Sequence, residues 1–414
     1  MERPRRNPKR KAQETADASD VSPRHLLEKS CRPLTSQEIE EWEGWIELES
    51  EPAFFNIILR DLGVKDVKTQ ELFTIDQASL DALSKPVFGL IFLFQYEPAH
   101  EEEDQPTTNN ACATVALLNI IMNSDNLNLG ERLQSFKEST EGLCTALRGH
   151  SISSNKYIRK VHNSLTRRMD QLNADLCLEN DVETASKIEG KQKRKSKKGA
   201  LEEYGYHFVA YVPSGGCAWE LDGLKSNPLN LGPLASQDWT TIVRPQIEAR
   251  MLQYEDSQLS FNLLAVCHDP LVQHSQVIAS MLAALSYIRS QMKDCEAFNE
   301  LVSGEEPVLD TNNQTQLAEF NLTYSDIENA EVPHRLRVAV SRSSLDVTNA
   351  YQFYQQFCKA ARTAMGGFRA ELIARVEDER RVEGRRRDYG SALHCWVQKL
   401  ADKGVLEDII KMSL

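Results

Sequence analysis

Three side chains in this sequence are of the types that acyl transfer by a thiolate requires: Cys112 a sulfur, His207 an imidazole, Asp222 a carboxylate. A cysteine nucleophile needs an imidazole to hold the ion pair and later protonate the leaving amine, and a third group to orient that ring. Cys112 stands where a polar, turn-prone stretch from Gln105 gives way to Val115, Leu117, Leu118, Ile120, Ile121 and Met122. Those apolar residues cover nearly every face of a helix, which predicts a buried helix beginning at or near Cys112. At such a start the unpaired N–H groups and the positive end of the macrodipole favour a thiolate. His207 opens, and Asp222 ends, the two β-rich runs 206–212 and 217–222, which are joined by Pro213-Ser214-Gly215-Gly216 as a hairpin. Residues near the same end of neighbouring strands can meet. Taken alone, the three positions also describe an ordinary core thiol, a strand histidine and an Asp-Gly turn, and spacing does not decide between these readings.

The chain around them has 414 residues, 41% of them hydrophobic, which is enough for two or three domains with a real core. Its longest apolar run, 87–94, is too short to span a bilayer, and the N-terminus (Met-Glu-Arg-Pro-Arg-Arg) lacks the apolar core of a signal peptide, so neither secretion nor a membrane is expected. Nine cysteines without a Cys-x-x-Cys pair indicate neither a disulfide framework nor a zinc site, and fit a reducing compartment, cytoplasmic and nuclear. A net charge of −13 argues against nucleic acid as the partner of the folded body. Two short basic runs, 3–11 and 191–198, depart from that balance and read as solvated charge, with nuclear import or an acidic partner as the alternative.

Residues 1–36 form a disordered basic and polar arm in this reading, and 37–268 hold one folded domain. Within it a helix with Pro52 in its first turn is closed by Gly63, a buried strand lies near 87–96, and 133–167 is helical with a break at Gly149-His150-Ser151. A polar insert of about 168–203 follows, and 261–267 is the last strand. Helix continues over 269–301, 302–333 reads as an acidic linker, and 334–414 as a helical extension. Gly366-Gly367 predicts a break or hinge in that extension.

Three stretches carry a resemblance: Asn109-Asn110-Ala111-Cys112-Ala113-Thr114, Tyr206-His207-Phe208-Val209-Ala210-Tyr211-Val212-Pro213 and Glu220-Leu221-Asp222-Gly223-Leu224-Lys225. They resemble the nucleophile, histidine and aspartate motifs of the ubiquitin carboxyl-terminal hydrolases. Supporting matches fall in the same order at 44–52, 85–94, 158–164, 243–245 and 261–263, so the similarity spans roughly residues 40 to 268. The resemblance implies an α+β fold: a papain-like cysteine protease core, with a central antiparallel sheet flanked by helices, plus a C-terminal helical extension. It implies Cys112 as nucleophile, His207 as general base and acid (the proton donor), and Asp222 as the group orienting His207. The family's oxyanion glutamine usually stands six positions before the cysteine. Here Pro106 has that place and Gln105 stands one residue earlier, so the resemblance points to Gln105 as the oxyanion stabiliser with an extra loop residue.

The activity so implied is thiol-dependent hydrolysis at the C-terminal glycine of ubiquitin, with no metal or cofactor. The implied partners are ubiquitin and ubiquitinated proteins. The segment 168–203 occupies the place of the family's crossover loop. Its length would relax the limit on what is attached to ubiquitin, and its basic run would bias which leaving groups approach. The region after 269, with Arg385-Arg386-Arg387-Asp388-Tyr389, is similar to the extension of the larger members, which work with a proteasomal ubiquitin receptor or with a chromatin-complex subunit. The proteasome-associated type is the expectation. A ubiquitin-binding scaffold with an impaired site, and a nuclear or nucleic-acid adaptor acting through the basic runs, are the competing readings.

Overall fold

A computed structural model describes residues 31–96, 110–177, 205–225, 227–234, 238–256, 260–341 and 345–413. The arm up to residue 30, Gln105, the basic runs 3–11 and 191–198, and most of the crossover segment lie outside the described residues. Among the described residues six strands form a single sheet: β1 (Val67–Glu71), β2 (Val87–Tyr96), β3 (Gly205–Ser214), β4 (Cys217–Asp222), β5 (Leu229–Pro233) and β6 (Phe261–His268). Their order is β1-β6-β2-β3-β4-β5 and every pairing is antiparallel.

The helices used below are α1 (Pro52–Asp61), α2 (Cys112–Met122), α3 (Lys156–His162), α4 (Thr240–Asp256), α5 (Pro270–Gln291), α6 (Val347–Arg386), α7 (Gly390–Asp402) and α8 (Leu406–Ser413). Strand β2 is apolar from Val87 to Phe94 because both of its faces are covered there. Phe88, Ile91 and Leu93 pack with α1, α2 and α3, while Leu90, Phe92 and Phe94 pack with Val243 and Ile247 of α4. The result is the expected α+β core, a sheet between two helical layers. Edge strands β1 and β5 escape the sequence reading, because five-residue segments with mixed polarity are held by pairing to distant β6 and β4 rather than by their own pattern.

Helix α2 is buried nearly all round, as its pattern predicts, with Ala113, Thr114, Ala116, Leu117, Leu118, Ile120 and Ile121 all inside. It can lie so close to the sheet because β2 has a glycine beneath it. A Cβ on Gly89 would stand 2.6 Å from the Ile120 side chain. We expect Gly89→Ala to push α2 outward and lower stability by about 1–3 kcal/mol, read as a shift of the urea midpoint at unchanged m-value.

Three expectations are corrected. The break at Gly149 does not occur: a helix runs through it over Thr145–Ser154 and ends at Asn155, whose side chain caps α3 by accepting from the Tyr157 and Ile158 N–H groups. One glycine weakens a helix by only about 1 kcal/mol, whereas an Asn positioned as a cap redirects the chain. Residues 302–333 are no linker. Asn313 and a Thr323–Asp326 capping box start the short helices Gln314–Ala318 and Tyr324–Glu328, and Leu317, Phe320, Leu322 and Ile327 are buried in the cluster that α5 and α6 form. Asn313 and Asp326, which read as linker polarity, are parts of caps.

The third correction is Gly366-Gly367, where α6 is unbroken. Gly367 is there for close approach, since a Cβ would lie 2.5 Å from the His274 ring of α5. By length and composition α5 could cross a bilayer, although its apolar residues form no long unbroken run, but Ile278, Leu282, Leu285 and Ile288 are buried in the cluster it shares with α6. The second half of α6 leaves that cluster for the sheet domain. Arg381 pairs with Glu51 at 2.8 Å, Arg385 with Glu49 at 3.0 Å and Asp170 at 2.7 Å, and Val382 enters the α1–α2 core.

Candidate active site

Cys112 is the first residue of α2, and the turn before it is fixed by Asn110. Asn110 has φ +64°, a left-handed conformation that Asn tolerates, and its side-chain amide donates to the Trp45 carbonyl at 3.2 Å. The thiol meets the backbone N–H of Phe208 on β3, the residue after His207. Burial pushes the thiol up to about 11; the N–H groups of Phe208, Ala113 and Cys112 pull it down and the negative Glu47 adds to the rise. Cys112 is half-buried by its exposure, and the balance of these effects favours the thiol, so a thiolate there depends on an imidazole accepting its proton.

His207 is 5% exposed and stands edge-on to Phe94, its partner in the β2–β3 register. Its Nε2 lies 2.7 Å from Asp222 Oδ1. The register sets Val209 opposite Asp222, so His207 reaches it diagonally across the open end of the hairpin. An Nε2–H bond to the carboxylate leaves Nδ1 as the basic ring nitrogen. Burial works against ionisation of Asp222, but the His207 bond and charge, the Leu224 N–H at 3.0 Å and nearby Lys225 outweigh it and hold the carboxyl below its usual range. Behind this pair Glu220, fully buried, is bound by Arg250 at 2.7 Å and Lys225 at 3.2 Å.

His207 and Asp222 are thus bonded at the open end of the β3–β4 hairpin and the Cys112 thiol meets the backbone of the next residue, Phe208, while Gln105 falls outside the described residues. Sequence reasoning passed over the Glu47 carboxyl near the thiol and a second buried histidine, His162. Both lie inside motifs quoted for the resemblance, at 44–52 and 158–164, and that membership was the available signal. Nothing in local periodicity distinguishes them from surface and core residues.

The His162 ring is fully buried between the Ile46 carbonyl, 2.8 Å from Nε2, and Thr114 Oγ1, 2.7 Å from Nδ1. Burial pushes its pKa down from 6.5 to about 4, against the opposing pull of the Ile46 carbonyl. Between those values the unfolded chain holds a proton that the folded chain does not. Stability from this site is therefore complete above pH 6.5 and is lost as pH falls toward 4. The loss should approach about 3 kcal/mol in urea melts across that window, and His162→Phe should flatten the slope.

The family model described as ubiquitin carboxyl-terminal hydrolase, family 1 matches residues 45–252. The chain is 34% identical over 236 residues to the ubiquitin carboxyl-terminal hydrolase isozyme L5 of Dictyostelium discoideum, covering 54% of this sequence and 62% of that one. It is 33% identical over 255 residues to the ubiquitin carboxyl-terminal hydrolase ubh-4 of Caenorhabditis elegans, covering 58% and 72%. A crystal structure of Trichinella spiralis UCH37 bound to ubiquitin vinyl methyl ester superposes with a TM-score of 0.44 at 29% identity, over 63% of this chain and 94% of that one. With half of its sequence matched by that model and most of one relative's length shared, the chain belongs to ubiquitin carboxyl-terminal hydrolase family 1, a family of cysteine-type deubiquitinating hydrolases.

Proposed function

We propose that the chain is a thiol-dependent deubiquitinase whose chemistry is carried by Cys112, His207 and Asp222. The observation behind this reading is the 2.7 Å His207–Asp222 bond on the strand whose next residue, Phe208, meets the Cys112 thiol. His207 Nδ1 takes the thiol proton, and Sγ attacks the carbonyl carbon of the terminal glycine of ubiquitin. The backbone N–H of Cys112 at the start of α2 faces the developing oxyanion, and Gln105 is the proposed second donor. His207 then gives its proton to the departing amine or alkoxide, leaving a thioester. Water, deprotonated by the same ring, attacks the thioester and releases ubiquitin with the thiol restored.

The partner reading rests on α7 and α8. Leu393, Trp396 and Val397 of α7, with Val405 just before α8, are 40–58% exposed. A proteasomal ubiquitin receptor is the favoured occupant and a chromatin-complex subunit the alternative, which would place the protein in cytoplasm and nucleus. The decisive experiment is labelling of the full chain with an electrophilic ubiquitin probe, followed by identification of the modified cysteine. Modification at Cys112 is the expected result. Tight ubiquitin binding without labelling or turnover would favour the scaffold reading instead.

A further inference from the structure

The mechanism above gives no task to His162, although it is the buried polar side chain that touches both α2 and the chain segment beside the thiol. That segment, Gly44 to Ile46, belongs to no helix or strand. Its backbone carbonyls are satisfied one after another by side chains instead: Gly44 by the Asn163 amide at 2.9 Å, Trp45 by Asn110 at 3.2 Å and Ile46 by His162 at 2.8 Å. Asn110 stands two residues before Cys112, and Thr114, on the other nitrogen of His162, stands two after it. The segment is therefore tied to the chain on both sides of the nucleophile.

The ring's roles follow from its neighbours. The Ile46 carbonyl can only accept, so Nε2 carries the hydrogen and Nδ1 accepts from the Thr114 hydroxyl. Trp45 packs edge-on against the same ring with centroids 4.8 Å apart, which fixes its plane. A neutral imidazole offers a donor and an acceptor on opposite edges, and this site uses both at once.

We infer that His162 is a positioning residue for the hydrolysis: it clamps Thr114, in the first turn of α2, to the Ile46 carbonyl and so holds Cys112 in register with Phe208 and His207. The inference rests on the reading of Cys112 as nucleophile and goes beyond it. The clamp acts on geometry, since a sulfur displaced along the helix axis loses the N–H of Phe208, the residue next to His207. It also fixes the chain that carries Glu47, the negative group acting on the thiol.

The test uses the full chain with four substitutions: His162→Phe, which fills the space without either bond; His162→Gln, which keeps one donor and one acceptor; Thr114→Val, which removes only the hydroxyl; and Cys112→Ala. Initial rates on a fluorogenic ubiquitin C-terminal amide are normalised to folded protein, and iodoacetamide alkylation of Cys112 is followed by mass spectrometry across pH. Misplacing the sulfur should lower kcat by about tenfold or more in His162→Phe and Thr114→Val, with KM unchanged and slower alkylation at neutral pH. His162→Gln should recover most of the loss, and combining His162→Phe with Thr114→Val should add little, because both break the same contact. Wild-type kcat and alkylation in Thr114→Val and His162→Phe, with Cys112→Ala inactive, would overturn the clamp and leave the nucleophile standing. A loss fully accounted for by unfolded protein would overturn it too. Should His162→Phe not fold, Thr114→Val decides alone. Turnover surviving in Cys112→Ala would instead bring down the reading of the site.

Discussion

Cys112→Ala is expected to abolish turnover of ubiquitin C-terminal amides, by roughly 10⁴-fold or more, while ubiquitin still binds. The reason lies in which interactions survive. Alanine removes the sulfur and nothing else from the first turn of α2, so the Asn110 turn, the Thr114–His162 contact and the His207–Asp222 bond all persist. With Cys112 as the proposed nucleophile, losing its sulfur removes the reaction path, and groups that act as a unit cannot rescue it singly. Initial-rate measurements beside calorimetric titration with ubiquitin separate the two effects. His207→Ala should be nearly as severe, and combining the two should be little worse than either. Additive losses in the double variant would mean that the two residues do not serve one step.

Asp222→Ala should lower kcat by about 10² to 10⁴, with Asp222→Asn milder. Alanine leaves Nε2 without its acceptor and frees the ring to turn away from the sulfur. An amide oxygen can still accept from Nε2–H, so asparagine keeps the orientation and loses the charge that favours the imidazolium. Asp222 is also held below the ordinary carboxylate range by His207, Leu224 and Lys225 against the opposing effect of burial. Its contribution to stability is thus present above the unfolded-state pKa and is lost as pH falls through the lower folded value. Acid melts of Asp222→Asn should accordingly be less steep than those of the native chain over the range in which carboxylates protonate. Equal kcat in Asp222→Ala and the native chain would show that the ring is steadied by other contacts, with its edge-on packing against Phe94 the first to test.

How much of the site was legible depended on distance along the chain. The start of α2 at Cys112 and the hairpin carrying His207 and Asp222 are local patterns. One is a run apolar on every face and the other a pair of β-rich runs about a Gly-Gly turn, and each folds as written. Local pattern misled where a residue's neighbour comes from far away. Gly367 reads as a helix breaker, but it is the gap into which His274 fits. Thr323 and Asp326 read as linker, but together they cap a helix whose Ile327 is buried.

The sequence by itself determined the chemistry available: a thiol at a helix start, an imidazole and a carboxylate on one hairpin, and motifs in the order of a known hydrolase family. Only the tertiary structure decided that the imidazole bonds the carboxylate and that the thiol lies against the strand carrying them, because the approach of α2 to β3 is set by packing, with Gly89 making room for Ile120 and Phe208 presenting its N–H to the sulfur. The same holds for His162, whose partners Ile46 and Thr114 are 116 and 48 residues away. A hydrogen bond across that span leaves no periodic trace in the sequence, since its geometry belongs to the packed chain and not to either segment.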